Sequence, residues 1–160
     1  MIYNYEAETV ALWVLPSMLV LDLLITSYLK RRRKIAFEKL RKRGISYLKT
    51  MSWQDFERFC ALHFTSEGYK VQMCGLGGAD GGMDLLLKKG RKTTLVQCKH
   101  WKSKVSVTTV REMFGVMHAH KFDDVIIVAL SGFTREAQQW IGNKPILLMS
   151  GEDMINAPRT

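Results

Sequence analysis

The sequence predicts an α/β domain with a mixed central sheet flanked by helices, carried behind one apolar N-terminal helix. Three observations lead there. Helical and strand periodicities alternate after Gly44, an unbroken apolar run stands at Asp124–Leu130, and a largely apolar stretch of about twenty residues precedes a basic cluster.

The N-terminal segment comes first. Residues 10–29 read VALWVLPSMLVLDLLITSYL, the length a helix needs to cross a bilayer. Asp22 opposes insertion by roughly 2.5–3.5 kcal/mol near the centre. The Leu, Val and Ile residues offset it at about 0.3–0.6 kcal/mol each. Pro16 is tolerated in membrane spans. Glu6 and Glu8 lead the segment where a cleaved signal would be basic, and no A-x-A site follows. The expected organisation is an extracytoplasmic stretch over 1–9, a transmembrane helix over 10–29, a basic juxtamembrane linker over 30–45 and a folded domain over 46–158.

Charge follows the same division. The net charge is +9, but residues 30–44 hold nine basic residues against one acid, Glu38. The excess is explained as a topogenic run that contacts anionic lipid through residues 10–34, which makes global charge weak evidence for nucleic-acid binding. The positive-inside rule puts the N-terminus outside an inner membrane, with a single pass and the domain in the cytoplasm. Cys60, Cys74 and Cys98 are odd in number and lack C-x-x-C spacing, which argues against a disulfide framework or a zinc cluster. His118 and His120 are two apart and diverge on a helix, a poor metal pair.

Within the domain, Ser52 followed by Asp55 opens a helix whose stripe is Trp53, Phe56, Cys60 and Phe64, ending near Gly68. Strands follow at 69–74, 83–88 and 93–99, with a glycine-rich turn, GLGGADGG, between the first two. Val107, Val110, Phe114 and Met117 mark a second helix, and the apolar run at 124–130 a strand covered on both faces. A helix over 134–142 and a strand over 145–149 close the pattern.

The chemistry concentrates in the hairpin MDLLLKKGRKTTLVQCK. Gly90-Arg91 suits a two-residue type II′ turn, and that turn sets a register in which Asp84 faces Gln97. Directly opposed residues share a face at about 4.5–5.5 Å between Cβ atoms, and Lys99 lies two further along on the same face. A carboxylate, an amide oxygen and an ammonium are thus expected together. Asp84 and Gln97, with the Cys98 carbonyl, can hold a hard divalent cation such as Mg²⁺, for which Mn²⁺ substitutes. Lys99 can orient water or stabilise phosphate charge. Solvated residues of a half-exposed sheet would show the same spacing. Glu57 shares a helix side with Cys60 and Phe64, so it either serves as a further metal carboxylate or sits at a boundary.

Lys88, Lys89, Arg91, Lys92, Lys102 and Lys104 form, with Lys99, an acid-free basic run expected to surround this site and contact DNA phosphates. A solvated hairpin tip is the plainer reading. Trp101 fits either base stacking or burial.

These residues resemble the Mrr-like type IV restriction endonucleases of the PD-(D/E)xK nuclease superfamily. The resemblance covers 46–157 and rests on several ordered motifs. They are W-x-x-F-E (Trp53, Phe56, Glu57), G-Y-x-V (Gly68, Tyr69, Val71), D-G-G-x-D (Asp80 to Asp84), V-Q-C-K (Val96 to Lys99), F-T-x-x-A (Phe133, Thr134, Ala137) and L-x-x-G (Leu148, Gly151). It implies a restriction-endonuclease-like core and Mg²⁺-dependent hydrolysis of DNA phosphodiesters. It also implies catalytic Asp84, Gln97 and Lys99, metal ligands Asp84, Gln97 and Glu57, and a turn-shaping role for Asp80. A homodimer is compatible with it. The rival reading is a catalytically silent module that tethers DNA or a partner at the membrane.

Overall fold

The computed structural model describes residues 5–74 and 83–156, with side chains at 14 and from 16 onward. The glycine-rich turn, including Asp80, lies outside the described residues. The elements run α1 (Tyr5–Arg41), α2 (Gly44–Thr50), α3 (Trp53–Ser66), β1 (Lys70–Met73), β2 (Leu85–Lys89), β3 (Lys92–Lys99), α4 (Val107–Ala119), β4 (Asp124–Ala129), α5 (Arg135–Ile141), β5 (Ile146–Ser150) and α6 (Gly151–Asn156). The sheet order is β1-β2-β3-β4-β5. The first three strands pair antiparallel and the last three parallel. This is the mixed sheet that the periodicities predict.

Capping explains where helices start. The Ser52 hydroxyl accepts the Asp55 amide at 3.1 Å and donates to the Asp55 carboxylate at 2.8 Å, fixing the first turn of α3. Thr134 does the same for α5 through the Ala137 amide at 3.3 Å.

Strand alternation then sorts side chains into two cores. Leu85, Leu87, Val96, Cys98, Ile126 and Val128 meet Phe56, Phe59, Cys60 and Phe64 of α3 together with Leu48 of α2 and Met154 of α6. On the other face Leu95, Val125, Ile127 and Ala129 meet Val110, Met113 and Met117 of α4 and Ala137 of α5. Every β4 residue from Val125 to Ala129 is buried, as expected of a strand covered on both sides. Gly151 shows why the closing L-x-x-G needs glycine. A Cβ there would meet the Leu130 carbonyl oxygen and Ile45 Cδ1, each at 2.9 Å.

The segment read as a linker is helical. Helix α1 continues through Arg41, and Phe37 is buried with its ring 5.2 Å from Phe59 and 5.1 Å from His63. Arg41 donates to the Ile155 carbonyl at 3.1 Å and pairs with Glu38 at 3.0 Å. Phe37, Leu40 and Arg41 share one helix face, so this end of α1 belongs to the packed body although cations surround it in the sequence.

Further back, Met18, Leu19, Val20, Leu21, Leu23 and Leu24 are exposed along the same helix. The expected transmembrane helix over 10–29 is not supported: among the described residues, no helix is long and apolar enough to cross a membrane. That span begins where side chains lie outside the described residues.

Candidate active site

The hairpin register places the site. Leu85 pairs with Val96 and Lys89 with Lys92, the alignment the Gly90-Arg91 turn predicts. Gly90 has φ 63° while Arg91 has no positive φ, as a type II′ turn requires. Extended one residue, the ladder brings Asp84 to Gln97, and the Asp84 amide donates to the Val96 carbonyl at 3.1 Å.

One carboxylate oxygen organises this end of the sheet. Asp84 Oδ2 accepts Gln97 Nε2 at 2.5 Å and the Cys98 backbone amide at 2.6 Å. Among the described residues, both of these bonds fall on Oδ2. The bond from Nε2 also fixes the amide's orientation, because an acceptor-only carboxylate needs a donor. Gln97 is only 3% exposed, and its Oε1 is buried with no hydrogen-bond partner among the described residues. A buried, unpaired amide oxygen costs about 1–3 kcal/mol unless something meets it.

Glu57 approaches from α3. It is 7% exposed and sits among Phe56, Phe59 and Cys60, on the helix side that faces the sheet. Desolvation, reinforced by the Asp84 charge and opposed by Lys99, raises its pKa to about 7. Burial also raises that of Asp84, against the lowering effect of the Cys98 amide and Lys99. Two carboxylates are therefore held close enough to repel, in a setting that disfavours charge on either. That arrangement suits a cation. The donor set is all oxygen, which matches Mg²⁺ or Mn²⁺ rather than zinc. Among the described residues no three His, Cys, Asp or Glu groups gather to hold a metal.

Lys99 lies at the end of β3, half-buried, with its carbonyl tied to the Leu130 amide at 2.9 Å. Its Nζ stands 5.0 Å from the centre of the Trp101 ring. Trp101 is 46% exposed, so the buried reading of that indole does not hold. The Ser131 hydroxyl donates to its carbonyl at 2.8 Å.

Sequence reasoning missed His100, whose Nε2 lies 2.8 Å from the Leu48 carbonyl and whose ring packs 5.0 Å from Phe56. It ties α2 and α3 to the strand end that bears Gln97 and Lys99. Its place directly after V-Q-C-K was the available signal. The Cys98 thiol, hydrogen-bonded with Cys60 and buried beneath the carboxylates, is pushed well above its ordinary pKa and stays a neutral core group.

The basic residues divide. Lys102 and Lys104 follow β3 and are exposed beside Lys99. Lys88, Lys89, Arg91 and Lys92 lie at the hairpin tip, the opposite end of β2 and β3 from Asp84. Four residues of strand separate Asp84 from Lys88, about 14 Å. The expectation that the whole run surrounds the site is thus corrected: contiguity in sequence is not proximity once a strand carries the chain away. Lys89 donates to the Glu67 carbonyl at 3.0 Å and lies 4.8 Å from the Tyr69 ring centre, and Lys92 pairs with Asp124 at 3.5 Å. His118 and His120 are both exposed, each against its own aromatic neighbour.

A similar fold occurs in a solved structure. A crystal structure described as that of a protein of unknown function, AF1548, aligns with a TM-score of 0.50 and 14% identity over 59% of this chain and 55% of that one. MspJI restriction endonuclease, solved in complex with a 27-mer oligonucleotide, aligns with a TM-score of 0.44 and 21% identity over 77% of this chain and 30% of that one. The chain thus spans about half the length of the first and under a third of the second. No curated protein matches. The restriction endonuclease model of the Mrr catalytic domain matches residues 48–157, well over half of the chain. The chain belongs to the restriction endonuclease family, in its Mrr catalytic branch.

Proposed function

We propose that this protein is a divalent-metal-dependent DNA endonuclease, with Asp84, Gln97 and Lys99 as its catalytic residues and Glu57 as a further metal ligand. The observation that carries the reading is the buried Gln97 Oε1, without a hydrogen-bond partner among the described residues, on an amide bonded to Asp84, whose charge in turn acts on Glu57. A structural hydrogen-bond pair would have no reason to leave that oxygen orphaned next to two mutually repelling carboxylates.

Asp84, Gln97 and Glu57 would hold Mg²⁺, or Mn²⁺ in its place. When bound, such an ion polarises a phosphoryl oxygen and lowers the pKa of a coordinated water. Asp84 is held in place by the Cys98 amide and the Gln97 amide, so little reorganisation is needed when substrate arrives. The Lys99 ammonium balances the carboxylates and, moved off the Trp101 ring, can reach a phosphate oxygen or an attacking water. Glu57 can hold a proton near neutral pH and exchange it for a cation. Lys102 and Lys104, exposed beside this end of β3, contact the DNA backbone.

The apolar stretch of α1 supports attachment to a membrane. We place the chain at a cell inner membrane, attached through residues 10–34, with the nuclease domain on the cytoplasmic side. The support is the row of exposed apolar residues followed by exposed Arg31 and Arg32. A periplasmic reporter fused after Thr160 is expected to be inactive; an active one overturns the orientation.

Plasmid nicking by the full chain with Mg²⁺ tests the enzymatic reading. The parent nicks supercoiled plasmid, while Lys99→Ala binds it without cutting. A parent that binds plasmid and leaves it intact would instead be the silent DNA-tethering module.

A further inference from the structure

The face of α1 that packs on the domain is defined by Phe37, Leu40 and Arg41. Followed back by helical spacing, the same face carries Arg33 and Lys30. Both are exposed and reach past the core to the open edge of the sheet. There a cleft of about 530 Å³ lies between α1, the end of α3 and β1. Lys30 and Arg33 line one wall, and Thr65, Tyr69, Lys70 and Met73 line the other.

Two registers relate this cleft to the active site. Lys70 pairs with Lys88, so the basic hairpin tip adjoins it, and the Lys89 ammonium sits on the ring of Tyr69. At the other end Met73 pairs with Leu85, the residue after Asp84. The cleft therefore runs along β1 from the hairpin tip toward the catalytic end. Among the described residues, no acidic side chain lines it.

We infer that the cleft between α1 and the β1 edge is a second nucleic-acid backbone site, in which Lys30, Arg33 and Lys70 hold phosphates of the DNA being cut. The inference rests on the nuclease reading and adds a substrate path to it. Lys30 and Arg33 serve DNA because they face the domain and share a cleft with Lys70, whereas Arg31 is on another face of the helix. The strand length from Asp84 to Lys88, about 14 Å, equals the rise of roughly four base pairs of duplex. The backbone would thus be gripped about four base pairs to one side of the scissile phosphate. This also gives Lys88 and Lys89 a place in binding despite their distance from Asp84.

Binding is measured on the full chain in neutral detergent, in an Asp84→Ala background that cannot cut, using a 30-base-pair duplex across a salt series. Replacing Lys30, Arg33 and Lys70 with Gln should weaken binding at least tenfold and reduce the slope of log K against log salt by about 2–3. The charge-keeping set Lys30→Arg, Arg33→Lys and Lys70→Arg should bind like the parent, which separates charge from folding. Shortening the duplex until it cannot span both the Asp84 end and the cleft should erase the difference between variant and parent. Unchanged affinity and slope in the neutralised variant would overturn the inference. So would a loss confined to vesicles of anionic lipid, with DNA binding retained, since the cations would then serve the membrane. Cleavage is not read in this assay, so a parent that never nicks plasmid would remove the nuclease reading alone.

Discussion

The two ends of the β2–β3 hairpin are built from the same strands and do opposite things with charge. At the Asp84 end, charges are few, at least partly buried and mutually engaged: Asp84 takes two hydrogen bonds on one oxygen, Gln97 keeps an acceptor with no partner among the described residues, and Glu57 is pushed toward neutrality. At the Gly90 end, four cations stand in water around a tight turn. The difference teaches that charge density is a poor guide to chemistry. A buried group has its pKa and geometry set by its neighbours, while an exposed cation is screened and contributes mainly through phosphate contacts.

The comparison breaks most sharply at Asp84. Asp84→Ala removes the acceptor that orients Gln97 and the Cys98 amide, and should lower single-turnover cleavage by roughly 10³-fold or more. Lys99→Ala should lower it by roughly 10²–10³-fold with DNA affinity nearly unchanged. By contrast, neutralising Arg91 and Lys92 at the far end should leave the single-turnover rate within about twofold and change only binding, by under about 1 kcal/mol. Equal rate losses at both ends would erase the distinction.

A pH series sharpens it. Glu57 has a folded pKa of about 7 against an ordinary 4.5, so the folded state binds the extra proton between those values. Stability without divalent metal therefore falls as pH rises from about 4.5 through 7 and then levels. Glu57→Gln should stabilise the metal-free protein at pH 8 by about 1–3 kcal/mol and have no effect near pH 4. Added Mg²⁺ should stabilise the parent at pH 8 and do little for the variant. Denaturation midpoints at the two pH values check both statements. A packing test away from the site is Gly151→Ala, where overlap with the Leu130 carbonyl should cost about 1–3 kcal/mol at either pH.

Much of this was legible in the sequence because it is local. Gly90-Arg91 dictates a two-residue turn, the turn dictates the register, and the register brings Asp84 to Gln97. Ser52 and Thr134 announced their helices through hydroxyls that satisfy first-turn amides. What was not legible depends on tertiary neighbours. The short helices α2 and α6 exist because Leu48 and Met154 are buried under α3, and neither has enough residues to show a period. Phe37 and Leu40 were hidden among nine cations, so a helix that docks on the domain read as a linker. The orphaned Gln97 oxygen could not be foreseen at all, since it follows from which amide atom Asp84 claims.

The central claim is that the Asp84 end of the sheet is a metal-dependent hydrolytic site. Its most direct test is the initial rate of plasmid nicking by the full chain as Mg²⁺ is titrated, with EDTA and Asp84→Ala as references. The account predicts no nicking in EDTA, saturable activation by Mg²⁺ in the parent, and no activation in Asp84→Ala. Cleavage that persists in EDTA, or an Asp84→Ala variant as active as the parent at saturating Mg²⁺, would contradict it.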